Sequence, residues 1–129
     1  MRRRCPRATI RDVARTVLIV DDHKGFRRTA RELLEADGFE VVGEAADGES
    51  AITEVKRLRP QLVLLDIQLP DVDGFEVAAK IGEVSDPPVV VLTSSRDARS
   101  YRRRLALSPA RAFLPKSELS GDALAALLA

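Results

Sequence analysis

Five side chains in this sequence have the types and spacing to share one reaction: Asp21, Asp22, Asp66, Thr93 and Lys116. Each closes or follows a short apolar run, namely Val17-Leu18-Ile19-Val20, Leu62-Val63-Leu64-Leu65, Val89-Val90-Val91-Leu92 and Ala112-Phe113-Leu114. Carboxylates gathered from separate runs repel. Two unit charges roughly 4 Å apart cost about 4 kcal/mol at an effective dielectric of about 20. A hard divalent cation removes that cost, and Mg²⁺ takes oxygen ligands while keeping several waters. The amine of Lys116 offsets a further charge. With open metal positions left for phosphate oxygens, an aspartate in such a pocket can act as a nucleophile and form an aspartyl-phosphate. Taken singly, the same residues have plainer roles: Asp22 as a helix cap, Thr93 as a strand end, Lys116 as a solvated charge. Their joint placement is what points to metal-assisted phosphoryl transfer.

That placement depends on the elements that carry them. Unbroken apolar runs of this length suit strands buried on both faces of a parallel sheet. Between them the period changes to that of helices. Phe26, Ala30, Leu33 and Leu34 fall on one face, with Arg27, Arg28, Arg31 and Glu35 outside, and Gly38 supplies the stop. Phe39, Val41 and Val42 form a second strand. Asp47-Gly48 is a turn, and Ala51, Ile52, Val55 and Leu58 give a helical stripe closed by Pro60. Gly74 opens a short helix through Phe75, Ala78 and Ile81. A helix from Asp97 to Leu107 carries Ala98, Tyr101 and Leu105 inward, and a last helix runs from Leu119 to Leu128. Strands alternating with helices predict an α/β fold, a flavodoxin-like (βα)5 doubly wound parallel sheet in the order 2-1-3-4-5. In such sheets the functional crevice lies beyond the carboxyl ends of the strands, where all five residues fall.

The 129 residues suffice for one domain, and 45% are apolar, enough for a core. Charged residues reach 32%, yet the net charge is only +1, so no global field calls for nucleic acid or an acidic membrane. Cys5 is the single cysteine, and no apolar run is long enough to span a bilayer. The expected location is cytoplasmic. Residues 1–16 read as a flexible, arginine-rich arm and 17–129 as the domain. His23, the one histidine, reads as a surface residue. Arg96, Arg99, Arg102, Arg103 and Arg104 read as a solvated face or a partner surface; with no interleaved aromatics and no recognition helix, direct nucleic-acid binding is not expected.

From Val17 to Leu128 the chain resembles the receiver domain of bacterial two-component response regulators, nearest in texture to NarL/FixJ-type receivers. The matching segments are Val20-Asp21-Asp22, Leu65-Asp66-Ile67-Gln68-Leu69-Pro70-Asp71-Val72-Asp73-Gly74, Leu92-Thr93-Ser94 and Phe113-Leu114-Pro115-Lys116. The resemblance implies that Asp66 takes a phosphoryl group from a phosphohistidine on a sensor histidine kinase or histidine phosphotransfer protein. It implies Mg²⁺ held by Asp22, Asp66 and the backbone carbonyl of Gln68, with Asp21 acting mainly through water. It implies that Thr93 and Lys116 engage phosphate oxygens, that Pro70 and Gly74 shape the loop, and that Phe113 is an aromatic switch turning inward as Thr93 moves. Such a protein is a signalling switch that catalyses its own phosphorylation and dephosphorylation, not a turnover enzyme. It would present a partner-binding or dimerisation surface, as a homodimer on activation in one version.

The sequence departs from the family in places. Phe113 lacks the hydroxyl of many relatives, so its switch would be steric alone. Pro109-Ala110-Arg111 replaces the usual Gly-Ala before the last strand. Two further readings stand beside the phospho-switch: a receiver cut from a longer DNA-binding transcriptional regulator, and an interaction module independent of phosphorylation. A haloacid-dehalogenase-type phosphatase fits less well, because Gln68 stands where the second acid of Asp-x-Asp is needed.

Overall fold

The computed structural model describes residues 15–128. The arm expected over 1–16 therefore lies outside the described residues except for its last two, and Thr16 already belongs to the first strand.

The elements run β1 (Thr16–Val20), α1 (Lys24–Ala36), β2 (Glu40–Ala45), α2 (Gly48–Leu58), β3 (Leu62–Asp66), α3 (Gly74–Ile81), β4 (Val89–Ser94), a 3₁₀ turn (Ala98–Tyr101), α4 (Arg102–Leu107), β5 (Ala112–Pro115), a second 3₁₀ turn (Lys116–Glu118) and α5 (Gly121–Leu128). The sheet has five strands, all pairings parallel, in the order β2-β1-β3-β4-β5. This is the expected topology. The apolar runs alternate between two cores. Leu18, Val20, Val63, Leu65 and Leu92 face α2 and α3, while Val17, Ile19, Leu62, Leu64 and Val91 face α1 and α5. Every residue of β3 is buried, as a central strand with helices on both sides requires.

Several expectations shift. Arg27 is not outside: its side chain is only 16% exposed, because the long stem lays the guanidinium back against the sheet edge. The helix expected from Asp97 to Leu107 is divided. Asp97 caps a 3₁₀ turn by accepting from the N–H of Ser100, and Tyr101, at φ −124°, interrupts the helical path before α4 begins. The burial of the Tyr101 ring holds that turn against the sheet. The last helix starts at Gly121 and not at Leu119, because Ser120 Oγ accepts from Ala123 N–H and Asp37 Oδ2 from Gly121 N–H, while Leu119 packs below as core. Phe39 precedes β2 rather than opening it. Gly38 does terminate α1, with φ +92° and its N–H donating to Glu35 O. The Pro109-Ala110-Arg111 segment is pinned by Ala110 N–H to Ser108 Oγ and Arg111 N–H to Val90 O.

Candidate functional site

The strands deliver their terminal residues to one edge. Asp21 follows β1 and its N–H donates to Ala45 O at 3.0 Å, which fixes the chain where it leaves the sheet. Asp66 ends β3 and pairs in register with Thr93 on β4. Lys116 follows β5 directly. Asp21 is fully buried, Asp66 is 2% exposed and Thr93 1%, so the site is sunk into the edge. Asp22 is exposed at its mouth.

Lys116 joins the acids. Its Nζ lies 2.6 Å from Asp21 Oδ2 and 3.6 Å from Asp66 Oδ2, and 4.5 Å above the Phe26 ring, whose face stabilises the same cation. Even so, Asp66 remains under electrostatic pressure. Burial first, then the neighbouring Asp21 charge, push its carboxyl up from the ordinary 3.8 to about 6, against the opposing pull of Lys116 and the Gln68 N–H. The Thr93 hydroxyl is buried and has no hydrogen-bond partner among the described residues. A buried, unsatisfied hydroxyl costs about 1–3 kcal/mol, so it stands ready for an acceptor that arrives from outside.

Asp21, Asp22, His23 and Asp66 each offer one ligand atom, all within 4.8 Å of one another. Three carboxylates so close, with one raised well above its ordinary range, fit a hard divalent cation. His23 is 70% exposed, as a surface residue should be, but its ring leans on the acids, with Nδ1 3.0 Å from Asp22 Oδ1 and 3.2 Å from Asp21 Oδ1. Its backbone N–H also donates to Asp21 Oδ1 at 2.8 Å. Gln68 folds back over Asp66, its N–H 3.2 Å from Asp66 Oδ1.

The loop after β3 is held from several sides. Gly74 N–H donates to Ile67 O at 2.7 Å, and a Cβ at Gly74 would overlap the Asp66 carbonyl and stand 2.6 Å from Ile67 Cα. Only glycine allows α3 to start this close to the site. Asp71 accepts from the N–H groups of Gly48 and Glu49 at the start of α2, which holds its carboxyl below the usual range. Asp73 caps α3 through Phe75 N–H and pairs with Arg104 of α4 at 2.6 Å. Phe113, the expected switch, is half-buried, its ring 6.0 Å from that of Tyr101.

Sequence reasoning missed several of these residues. Arg27 donates to the Asp21 carbonyl at 2.6 Å and to Glu44 at 2.9 Å, while Arg31 reaches the other Glu44 oxygen at 2.8 Å. Burial opposes ionisation of Glu44, but the two arginines together hold its carboxyl below the ordinary value. This clamp braces the turn carrying Asp21 and Asp22. The signal was a glutamate in β2 among apolar neighbours, with two arginines one helical turn apart to meet it. Tyr101, read as packing, also places its hydroxyl 3.1 Å from Ser94 Oγ. Size does not mark the site: a cleft of about 830 Å³ lies at the opposite end of the sheet, lined by Ile52, Pro60, Gln61, Val84 and Val89.

The model of the response regulator receiver domain matches residues 17–128. A Pseudomonas aeruginosa protein named as a transcriptional regulator is 40% identical over 111 residues, covering 85% of this chain and 53% of that protein. The transcriptional regulatory protein PdtaR of Mycobacterium tuberculosis is 35% identical over 115 residues, covering 89% of this chain and 56% of its own. The chain thus spans about half the length of the curated relatives it matches. Among solved structures, the signal receiver domain of NarL from Mycobacterium tuberculosis superposes with a TM-score of 0.79 at 31% identity, covering 89% of this chain and 97% of that one. No described helix is long and apolar enough to cross a membrane.

Proposed function

Because the chain belongs to the response regulator receiver domain family, we propose that Asp66 is its phosphoryl acceptor and that Asp21, Asp22 and the Gln68 carbonyl join it in holding Mg²⁺. The donor is a phosphohistidine on a sensor histidine kinase or phosphotransfer protein. The observation that carries this is the meeting of a buried Asp66, the Lys116 ammonium 3.6 Å away and the orphaned Thr93 hydroxyl on the adjacent strand.

Bound Mg²⁺ would neutralise charge on the transferring phosphoryl oxygens and on the acids that repel one another. The remaining work falls to the chain. An Asp66 oxygen forms the new O–P bond as the P–N bond to the partner's imidazole breaks, and the electron pair stays on the ring nitrogen, which takes up a proton. Lys116, already shared between Asp21 and Asp66, turns to a phosphoryl oxygen. Thr93 donates its unpaired hydroxyl to another. The Glu44–Arg27 clamp keeps Asp21 and Asp22 at fixed positions. Later attack by water on phosphorus restores the carboxylate and releases phosphate. The added charge, engaged by Thr93 and Lys116, biases the face built from α4, β5 and α5 between two arrangements. That face would carry a partner or a second copy of the chain, and the cytoplasm is the compartment such a donor requires.

Acetyl phosphate with Mg²⁺ tests the assignment. Wild type gains the mass of one phosphoryl group and Asp66→Asn does not; an equal gain in the variant would sink it.

A further inference from the structure

One buried polar contact lies beside the phosphoryl pocket without belonging to it. Ser94, one residue beyond Thr93 and fully buried, accepts from Arg96 N–H at 3.1 Å and shares a hydrogen bond with the Tyr101 hydroxyl at 3.1 Å. Tyr101 is 7% exposed, with ring centroids 5.9 Å from Phe75 on α3 and 6.0 Å from Phe113 on β5. It is also the residue that caps α4. Its hydroxyl therefore sits on β4 while its backbone starts the helix bearing Arg102, Arg103 and Arg104.

We propose that Tyr101 is a positioning residue that carries the state of Asp66 to α4 through Ser94, supplying from the helix start the hydroxyl that Phe113 lacks. The inference rests on Asp66 being the phosphoryl acceptor. Neighbouring residues of a strand project to opposite faces, so a backbone rotation that turns Thr93 toward a phosphoryl oxygen turns Ser94 the other way. Leu92 packs on the same face as Tyr101, and Ser94, two residues on, shares that face. The Ser94–Tyr101 pair cannot separate cheaply, because the Tyr101 hydroxyl would lose its one protein partner where water is excluded, while Ser94 would keep only the Arg96 N–H. Tyr101 must follow, and α4 with it. Phe113 is then a follower: its ring touches Tyr101, so it gains room only when Tyr101 moves.

The chain contains one tyrosine and no tryptophan, so its intrinsic emission reports Tyr101 alone. The protein is treated with Mg²⁺ and acetyl phosphate. Mass spectrometry measures phosphoryl uptake, acrylamide quenching of tyrosine emission reads Tyr101, and hydrogen exchange over residues 102–107 reads α4. In wild type all three change together. Ser94→Ala takes up phosphoryl at the wild-type rate, but its quenching and exchange responses shrink about five-fold, the equivalent of one neutral hydrogen bond. Ser94→Thr keeps a hydroxyl and restores both responses. Tyr101→Phe, silent in emission, loses the exchange response; it carries the test if Ser94→Ala does not fold. A full quenching or exchange response in phosphorylated Ser94→Ala, or a full exchange response in phosphorylated Tyr101→Phe, overturns this inference alone. Absence of a mass gain in wild type overturns the acceptor assignment and this inference with it.

Discussion

Replacing Asp66 by asparagine removes a carboxylate that is 2% exposed and whose pKa is pushed up to about 6, mainly by burial and by Asp21. Unfolded, the same carboxyl titrates near 3.8. The fold therefore favours the protonated form. Asp66 imposes no penalty below the unfolded value, and the penalty grows as pH rises from about 4 to about 6 and is complete above that. A shift of about two units corresponds to about 3 kcal/mol. Solvent and counter-ions at the mouth of the pocket screen part of it, leaving about 1–2 kcal/mol. Without metal at pH 8, Asp66→Asn should thus melt about 4–8 °C above wild type, and the gap should largely close by pH 4. Saturating Mg²⁺ should reverse the order. At a hundred times its dissociation constant an ion adds about 2.7 kcal/mol to the state that binds it, and the variant has lost one of the carboxylates. Thermal melts by circular dichroism across pH, with and without Mg²⁺, test all three statements. A variant less stable than wild type at pH 8 without metal, or a gap that does not narrow on acidification, would refute the reasoning.

Thr93→Val keeps the shape of a side chain whose hydroxyl has no partner, so it should stabilise the unphosphorylated domain by about 1 kcal/mol in urea titrations. The same variant should accept phosphate on Asp66 yet show no change in α4 exchange; destabilisation instead would mean the hydroxyl is already satisfied. Glu44→Gln should cost about 1–2 kcal/mol by breaking the clamp on Arg27 and Arg31, whose side chains are 16% and 36% exposed. Because the Glu44 carboxyl is held below 4.5, its contribution is present above that pH and lost as acid protonates the folded form, so wild type and variant should converge at low pH.

The topology and the principal acids were legible because their signals are local. An apolar run fixes a buried strand, the next residue fixes what the crevice receives, and the order of winding fixes that these ends meet. The residues that were not legible act at a distance from their backbone positions. Helical periodicity assigns Arg27 to the polar face from the angle of its Cα, but the guanidinium travels along its stem to Glu44, seventeen positions away. The spacing of Ala98, Tyr101 and Leu105 satisfies a helix, yet the chain forms a 3₁₀ turn followed by a shorter helix, which buries Tyr101 and leaves Ala98 exposed. Only the Tyr101 hydroxyl on Ser94 and the Asp97 cap decide between them. The Lys116–Phe26 contact joins residues ninety positions apart and leaves no trace in either segment.

The attachments of the loop that follows Asp66 differ in strength, and the difference bears on how a switch of this kind can work. On the side of α2 and α3 the loop is held by backbone groups: Asp71 takes two N–H donors from the start of α2, Asp73 takes one from α3, and Gly74 donates to Ile67. Bonds of a carboxylate to helix N-terminal amides are geometrically fixed and resist displacement. On the side of α4 the same loop is held by one ion pair, Arg104 to Asp73, with side chains 51% and 37% exposed. A pair so exposed contributes about 1 kcal/mol at most. Arg104 also lies 4.3 Å over the Phe75 ring, a contact that can persist while the ion pair opens. Parting α4 from this loop therefore costs little, and doing so does not loosen the side of the loop that positions Asp66. On the proposed reading, Asp66 as acceptor needs fixed geometry and α4 as output helix needs a low barrier, and this distribution of contacts meets both demands in neighbouring residues.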